Sequence, residues 1–315
     1  MRIFNLVKIP WPYLALVIAH IIWGIVAVVG KLTLQEFPVM SLSFLRFAFA
    51  SLLLTPFFFN VDRSKIKIRS QDLPRLILAS LLMVPITIAL GYEGLKNTSA
   101  IHASVLSLVI PISSIIVGWL FLKEHIYFIN LVGSLLGIIG AGIILGIHLL
   151  FFGNFSTENL TGDLLILLSG LTFVAGTILS KDLLSKYSPL VLTGVAFLVA
   201  TLAFVLPTAN EYFQNPNWVS NVSIVGILGF LYISILSSVV AFFLMEWALK
   251  KTDVVKANLF QYVEPAVTAT VAVPLLGERI SFSFIIGTVL IVLGVYWGTL
   301  GKPHHHHLIY RHHRS

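Results

Sequence analysis

Cysteine is absent from the 315 residues. That removes disulfide frameworks, thiolate metal sites and cysteine nucleophiles together. Charge is also scarce: 10% of residues are charged, against about a quarter in a soluble domain. With 57% hydrophobic residues and a mean hydropathy of +0.96, the chain cannot cover itself with polar side chains. Lipid is its expected solvent, and water-soluble enzyme classes drop out. There is no Walker motif and no glycine-rich phosphate loop, so direct nucleotide drive is not expected. The formal charge of +7 would suit nucleic acid, but the basic residues fall in short loops between apolar runs. That is the pattern of an oriented membrane protein, with no nucleic-acid partner.

What is present is a series of apolar runs. Crossing the hydrocarbon core takes about 20 such residues. The runs predict helices near 12–34, 39–59, 74–94, 99–122 and 126–150, then near 162–184, 188–208, 222–249, 254–276 and 280–300. The expected fold is therefore all-α integral membrane, with ten transmembrane helices. Sixteen of the twenty lysines and arginines collect at one set of helix ends, so both termini are expected in the cytoplasm of a multi-pass cell-membrane protein. Arg2 and Lys8 ahead of the first run resemble a signal peptide, but an uncleaved first helix fits better.

The second half echoes the first. Displaced by 154 residues, 95–140 matches 249–294 at 14 of 46 positions without a gap. The matches include Pro111 with Pro265, Glu124 with Glu278, Gly133 with Gly287 and Gly140 with Gly294. A displacement of about 150 puts Trp23 and Lys31 over Phe173 and Lys181. Five helices per half is odd, so the halves enter the membrane from opposite sides, as two inverted five-helix repeats. The expected organisation is a cytoplasmic N-terminus 1–11, a first repeat 12–150, an external linker 151–161, a second repeat 162–300 and a basic, His-rich tail 301–315.

Several motifs carry a resemblance. They are Trp23-Gly24, Leu45-Arg46-Phe47, and in each half a proline followed 13 residues later by glutamate: Pro111 to Glu124, and Glu264-Pro265 to Leu276-Gly277-Glu278. With the ten spans and the repeat, the chain resembles the drug/metabolite transporter superfamily, in particular its ten-helix EamA-type members, over roughly 12–300. The resemblance implies export or exchange of amino acids, other metabolites or drugs across the cell membrane. A membrane enzyme acting on a lipid-linked substrate is the alternative. It would be expected to gather acidic, His or Arg residues at one membrane surface, whereas the titratable residues here are scattered singly. A channel fits the repeat and matched prolines less well than a carrier. A phosphorylated substrate would call for more buried cations than Arg46.

Ser104, Ser107, Pro111 and Ser114 make one stripe of a helix, and the repeat turns them into Asn258, Gln261, Pro265 and Thr268. Polar stripes face a cavity or glue helices together. Glu264 is placed roughly 15 Å from one end of its helix, Arg46 some 10 Å and His20 about 12 Å, at 1.5 Å per residue. The matched depths suggest an Arg46–Glu264 pair, or Arg46 gripping a substrate carboxylate. Glu264 and His20 leave proton coupling open. Trp23, Tyr92 and Tyr262 are candidates for an aromatic wall, with Glu93, His102 and Glu246 in reserve. Pro111 and Pro265 are hinge or fixed-kink positions, and Glu124 and Glu278 are structural helix ends. Gly133, Gly137, Gly140, Gly142 and Gly146, with Gly287, Gly294 and Gly298, permit close helix contact within the fold or in a homodimer. His304–His307, His312 and His313 are read as a solvated tail rather than a metal site, and no cofactor is expected.

Overall fold

Residues 10–59, 68–98, 100–107, 110–111, 113–114, 127–144, 160–276 and 282–299 are described by a computed structural model, and every regular element among them is helical. In chain order, apart from a 3₁₀ helix at Pro216–Asn221, these are α1 (Trp11–Thr33), α2 (Val39–Phe59), α3 (Ser70–Asn97), α4 (Ala100–Leu106), α5 (Phe128–Ile144), α6 (Leu160–Leu184), α7 (Pro189–Gln214), α8 (Ile224–Leu249), α9 (254–276) and α10 (Phe282–Thr299). Six of them, α1, α2, α3, α6, α7 and α8, are long and apolar enough to cross a bilayer by length and composition. Leu198, Leu202 and Leu206 run exposed along one face of α7. Such a stripe is tolerated in lipid and would be an aggregation hazard in water.

Helix starts follow local chemistry. Pro12 presets φ for the first turn of α1, where its missing N–H costs nothing. Ser188 caps α7 by accepting from the Val191 N–H. The start of α2 is capped by a residue far away in sequence. Glu211 on α7 accepts from the Met40 and Ser41 N–H groups at 3.0 and 2.7 Å, and from the Ser41 hydroxyl. Negative charge at a helix N-terminus is favourable. This also explains why α7 reaches Gln214 rather than ending near 208: its polar last turn holds α2 instead of lying in a loop.

Packing follows the repeat. α2 lies on α7 and α5 on α10; α3 packs on α6 and α8 on α1; α4 touches α6 and α9 touches α1. Advancing every label by five maps this set onto itself, which is a pseudo-two-fold relation between inverted halves. Equivalent residues meet where that axis passes. The Phe47 and Phe197 rings, 150 residues apart, have centroids 5.4 Å apart. Trp23 and Phe173 meet edge to face at 6.2 Å, and Gln261 Nε2 donates to Ser107 Oγ at 3.5 Å.

The lysines repeat the relation. Lys31 Nζ donates to the carbonyls of Leu95 and Thr98, at the end of α3. Lys181 Nζ donates to Leu249 and Thr252, the equivalent carbonyls at the end of α8. Each ammonium fills carbonyls that the ending helix leaves without an intrahelical partner. Lys31→Met and Lys181→Met are therefore expected to destabilise by similar amounts, about 1–3 kcal/mol each. Thermal unfolding in detergent checks this, and a large loss from only one of the two would break the equivalence.

The helix-turn between α1 and α2 is tied to α8. Glu36 accepts from the Ser223 N–H at 2.7 Å and its hydroxyl at 2.6 Å. Those bonds hold the Glu36 carboxyl below the usual carboxylate range. A lowered carboxyl contributes its stability above the ordinary range and loses it as pH falls through the folded value. Glu36→Gln is thus expected to melt below wild type at pH 7, and the gap should close only in acid below the ordinary carboxylate range, once Glu36 is protonated in the folded protein.

The glycines of α5 and α10 are used inside the chain. A Cβ on Gly140 would lie 2.6 Å from the Gly287 carbonyl oxygen, and one on Gly294 would lie 2.7 Å from that of Gly133. Backbone meets backbone, symmetrically, so these positions serve the intramolecular α5–α10 contact. Glu124, Glu278, residues 151–159 of the linker and the His-rich tail lie outside the described residues, as does the side chain of His102.

Candidate functional site

Pro265 has no N–H and its ring crowds the carbonyl of residue i−4, which is Gln261. The chain tightens there: α9 runs as Val254–Leu259, a 3₁₀ turn at Phe260–Tyr262, then Val263–Leu276. The equivalent break precedes Pro111, where α4 ends at Leu106 and the Ile110 N–H bonds back to Ser107. Both prolines thus sit just after a distorted turn, and both are buried.

The distortion presents Gln261 and Glu264 to α1. Glu264 Oε1 lies 2.7 Å from His20 Nδ1, and Oε2 accepts from Gln261 Nε2 at 2.8 Å. His20 is fully buried and Glu264 is 9% exposed. His20 Nε2 is buried and has no hydrogen-bond partner among the described residues. A carboxylate and an imidazole this close can hold one proton between them in more than one place. Trp23, one turn on from His20, lies edge-on to it at 5.3 Å and donates its Nε1–H to the Ser237 carbonyl.

Ser237 leads to the second cluster. Arg46 on α2 is 2% exposed. Its Nε donates to Ser238 Oγ at 2.6 Å, Nη1 to the Tyr92 hydroxyl at 2.7 Å and Nη2 to Ser237 Oγ at 3.1 Å. The guanidinium thus joins α2, α3 and α8. Among the described residues it has no carboxylate within ion-pair distance.

The expected Arg46–Glu264 pair is therefore not formed. Equal depth does not fix azimuth: Glu264 faces α1 from α9, whereas Arg46 faces α3 and α8 from α2. The aromatic wall is not formed either. Trp23 packs with His20, Phe173 and Phe242, and Tyr92 belongs to the Arg46 cluster. Tyr262 is turned away, its ring filling the notch at Gly137 beside Ile291. The two polar stripes do face each other: besides Gln261 to Ser107, Asn258 Nδ2 donates to Ser114 Oγ at 2.9 Å. Thr268 bonds to the Gly24 carbonyl at 2.7 Å. Ser104 is buried and its carbonyl accepts from the Ser107 hydroxyl.

Three groups escaped the sequence reading. Ser237 and Ser238 had a visible signal, adjacent serines inside an apolar helix. Both fall in a π-helical stretch, Tyr232–Ala241, and α3 carries its own at Leu82–Ile86. The Ser180 hydroxyl, which donates to Glu246 Oε1 at 3.0 Å, had no such signal.

An inverted pair of five-helix halves, with polar and charged groups buried beside the axis that relates them, has the build of a membrane transporter. The profile of the EamA-like transporter family matches residues 10–146 and again 160–299. The chain belongs to that family. A transporter of Archaeoglobus fulgidus, itself uncharacterized, is 31% identical over 294 residues, covering 93% of this chain and 98% of the relative. An uncharacterized transporter of Clostridium kluyveri is 26% identical, covering 90% and 91% of the two chains. A WAT1-related protein of Arabidopsis thaliana is 26% identical, covering 80% and 70%. A crystal structure of a protein with 18% identity superposes with a TM-score of 0.74, covering 92% of this chain and 96% of the other. It shares the fold.

Proposed function

We propose that the protein is a secondary transporter that moves small metabolites, amino acids or similar small amphiphiles, across the cell membrane by alternating access. Export or exchange is the direction favoured, with both termini in the cytoplasm. The observation that carries the reading is the buried His20–Glu264 pair beside the pseudo-two-fold axis. Inverted halves can exchange conformations and open one central site to either side in turn, and such sites lie near the midplane between repeats. A titratable residue buried within the membrane is by default a candidate for a substrate or ion pathway. The pair's shared proton gives the carrier a means of coupling to a pH gradient. Pro111, just beyond the end of α4, and Pro265, at the break within α9, supply the bending points.

The test is counterflow in proteoliposomes loaded with unlabelled amino acids and supplied with labelled ones outside. Transient accumulation above empty liposomes is expected, with a rate that changes between pH 5 and 8. Folded, inserted protein that accumulates none of them would send the substrate assignment to other metabolites. Exchange that ignores pH across that range would remove the proton from the mechanism.

A further inference from the structure

Arg46 presents an unusual edge. The Nε and Nη2 hydrogens of a guanidinium point the same way and together match the two oxygens of a carboxylate. In this structure two neutral oxygens stand at those two positions, Ser238 Oγ on Nε and Ser237 Oγ on Nη2. Adjacent residues on a regular α-helix diverge by about 100°. The π-helical stretch of α8 brings both hydroxyls to one guanidinium, and Ser238 also donates to the Ile233 carbonyl five residues back. Widened helical turns of this kind recur at functional sites. The charge itself is left over. Glu264 is engaged by His20 and Gln261, so the buried cation keeps only neutral partners among the described residues.

We propose that the Nε–Nη2 edge of Arg46 seats the carboxylate of the substrate, which displaces the Ser237 and Ser238 hydroxyls and so unties α2 from α8. The seat deepens the transporter reading, since it rests on that reading for its role in movement, but binding there can be measured without flux. It makes a carboxylate the required group of the substrate. It also gives the ligand a structural effect, because the bonds it replaces are the ones that join α2 to α8 at this level. Tyr92 on Nη1 stays in place and keeps the guanidinium oriented.

Thermal protection of the purified protein in detergent tests this with matched pairs: L-leucine and L-leucinamide, L-phenylalanine and L-phenylalaninamide, benzoate and benzamide. At least one acid is expected to protect while its amide does not. In Arg46→Lys the apparent affinity for that acid should fall by about tenfold or more, because lysine keeps the charge and loses the fork. The double variant Ser237→Ala, Ser238→Ala should bind the acid more tightly than wild type, having nothing to displace. Equal protection by acid and amide, undiminished affinity in Arg46→Lys, weaker binding in the double variant, or no protection by any acid would each overturn the proposal. Should Arg46→Lys fail to fold, the acid–amide comparison on wild type and the double variant decide. Counterflow separates the two ideas: an acid that binds by this pattern but never crosses the bilayer sinks the transport reading alone. Acid and amide exchanged at equal rates sink the Arg46 seat alone.

Discussion

Transport by Glu264→Gln is expected to fall by about tenfold or more and to lose its dependence on pH between 5 and 8. The carboxylate presents two acceptor oxygens, one to His20 Nδ1 and one to Gln261 Nε2. An amide of the same shape offers one acceptor and one donor, so the His20 contact survives only if Nδ1 becomes the acceptor and the ring hydrogen moves to Nε2, which is buried with no partner among the described residues. Leaving a buried polar group unpaired costs about 1–3 kcal/mol, and tenfold in rate is about 1.4 kcal/mol. More important for coupling, the amide cannot exchange a proton with the imidazole. Counterflow rates across pH in liposomes check both parts. A variant that folds, inserts and keeps the wild-type pH profile would make Glu264 a packing residue. His20→Gln is the companion, expected to flatten the same profile while Arg46 is untouched.

Gly140→Val and Gly294→Val are each expected to be strongly destabilising. At each site the added carbon would meet a carbonyl oxygen of the opposing helix at under 3 Å, and a main chain cannot rotate out of the way. Overpacking of this kind costs about 1–3 kcal/mol, occasionally more. A drop of several degrees or more in detergent melting temperature is the expected readout for each variant, with poor recovery from the membrane. Leu135→Val, on the exposed face of the same α5, should change little. If Gly140→Val melted like wild type, the close α5–α10 contact would not exist as described.

Helix number, the repeat and its register were legible because lipid imposes simple demands on composition and length. Gly140 with Gly294, and Lys31 with Lys181, could be paired from the sequence because inverted halves reuse the same packing. The partners of the buried charges were not legible. Depth along a helix follows from counting residues, but azimuth depends on how ten helices pack, and that decided that Glu264 meets His20 while Arg46 meets Tyr92. The π-helical stretches had the same effect: one extra residue per turn rotates everything beyond it. No pattern of spacing announces that at Ser237 and Ser238. Tyr262 shows the converse, an aromatic side chain that was one candidate for a wall and instead packs into the notch at Gly137.

The two halves are alike in packing and unlike in most side chains, several buried polar and charged ones among them. Arg46 stands where the other half has Ala196, His20 where it has Gly170, and Glu264 where it has Ile110. Glu246 stands opposite Tyr92. Were the halves identical, a carrier rocking between them would have two end states related by the two-fold axis and equal in intrinsic energy, and the empty protein would rest facing neither side by preference. On the alternating-access mechanism proposed above, mismatches such as these four break that degeneracy, so the resting bias of the carrier, and with it the side from which a cargo is first met, would be set where the halves differ in buried polar side chains.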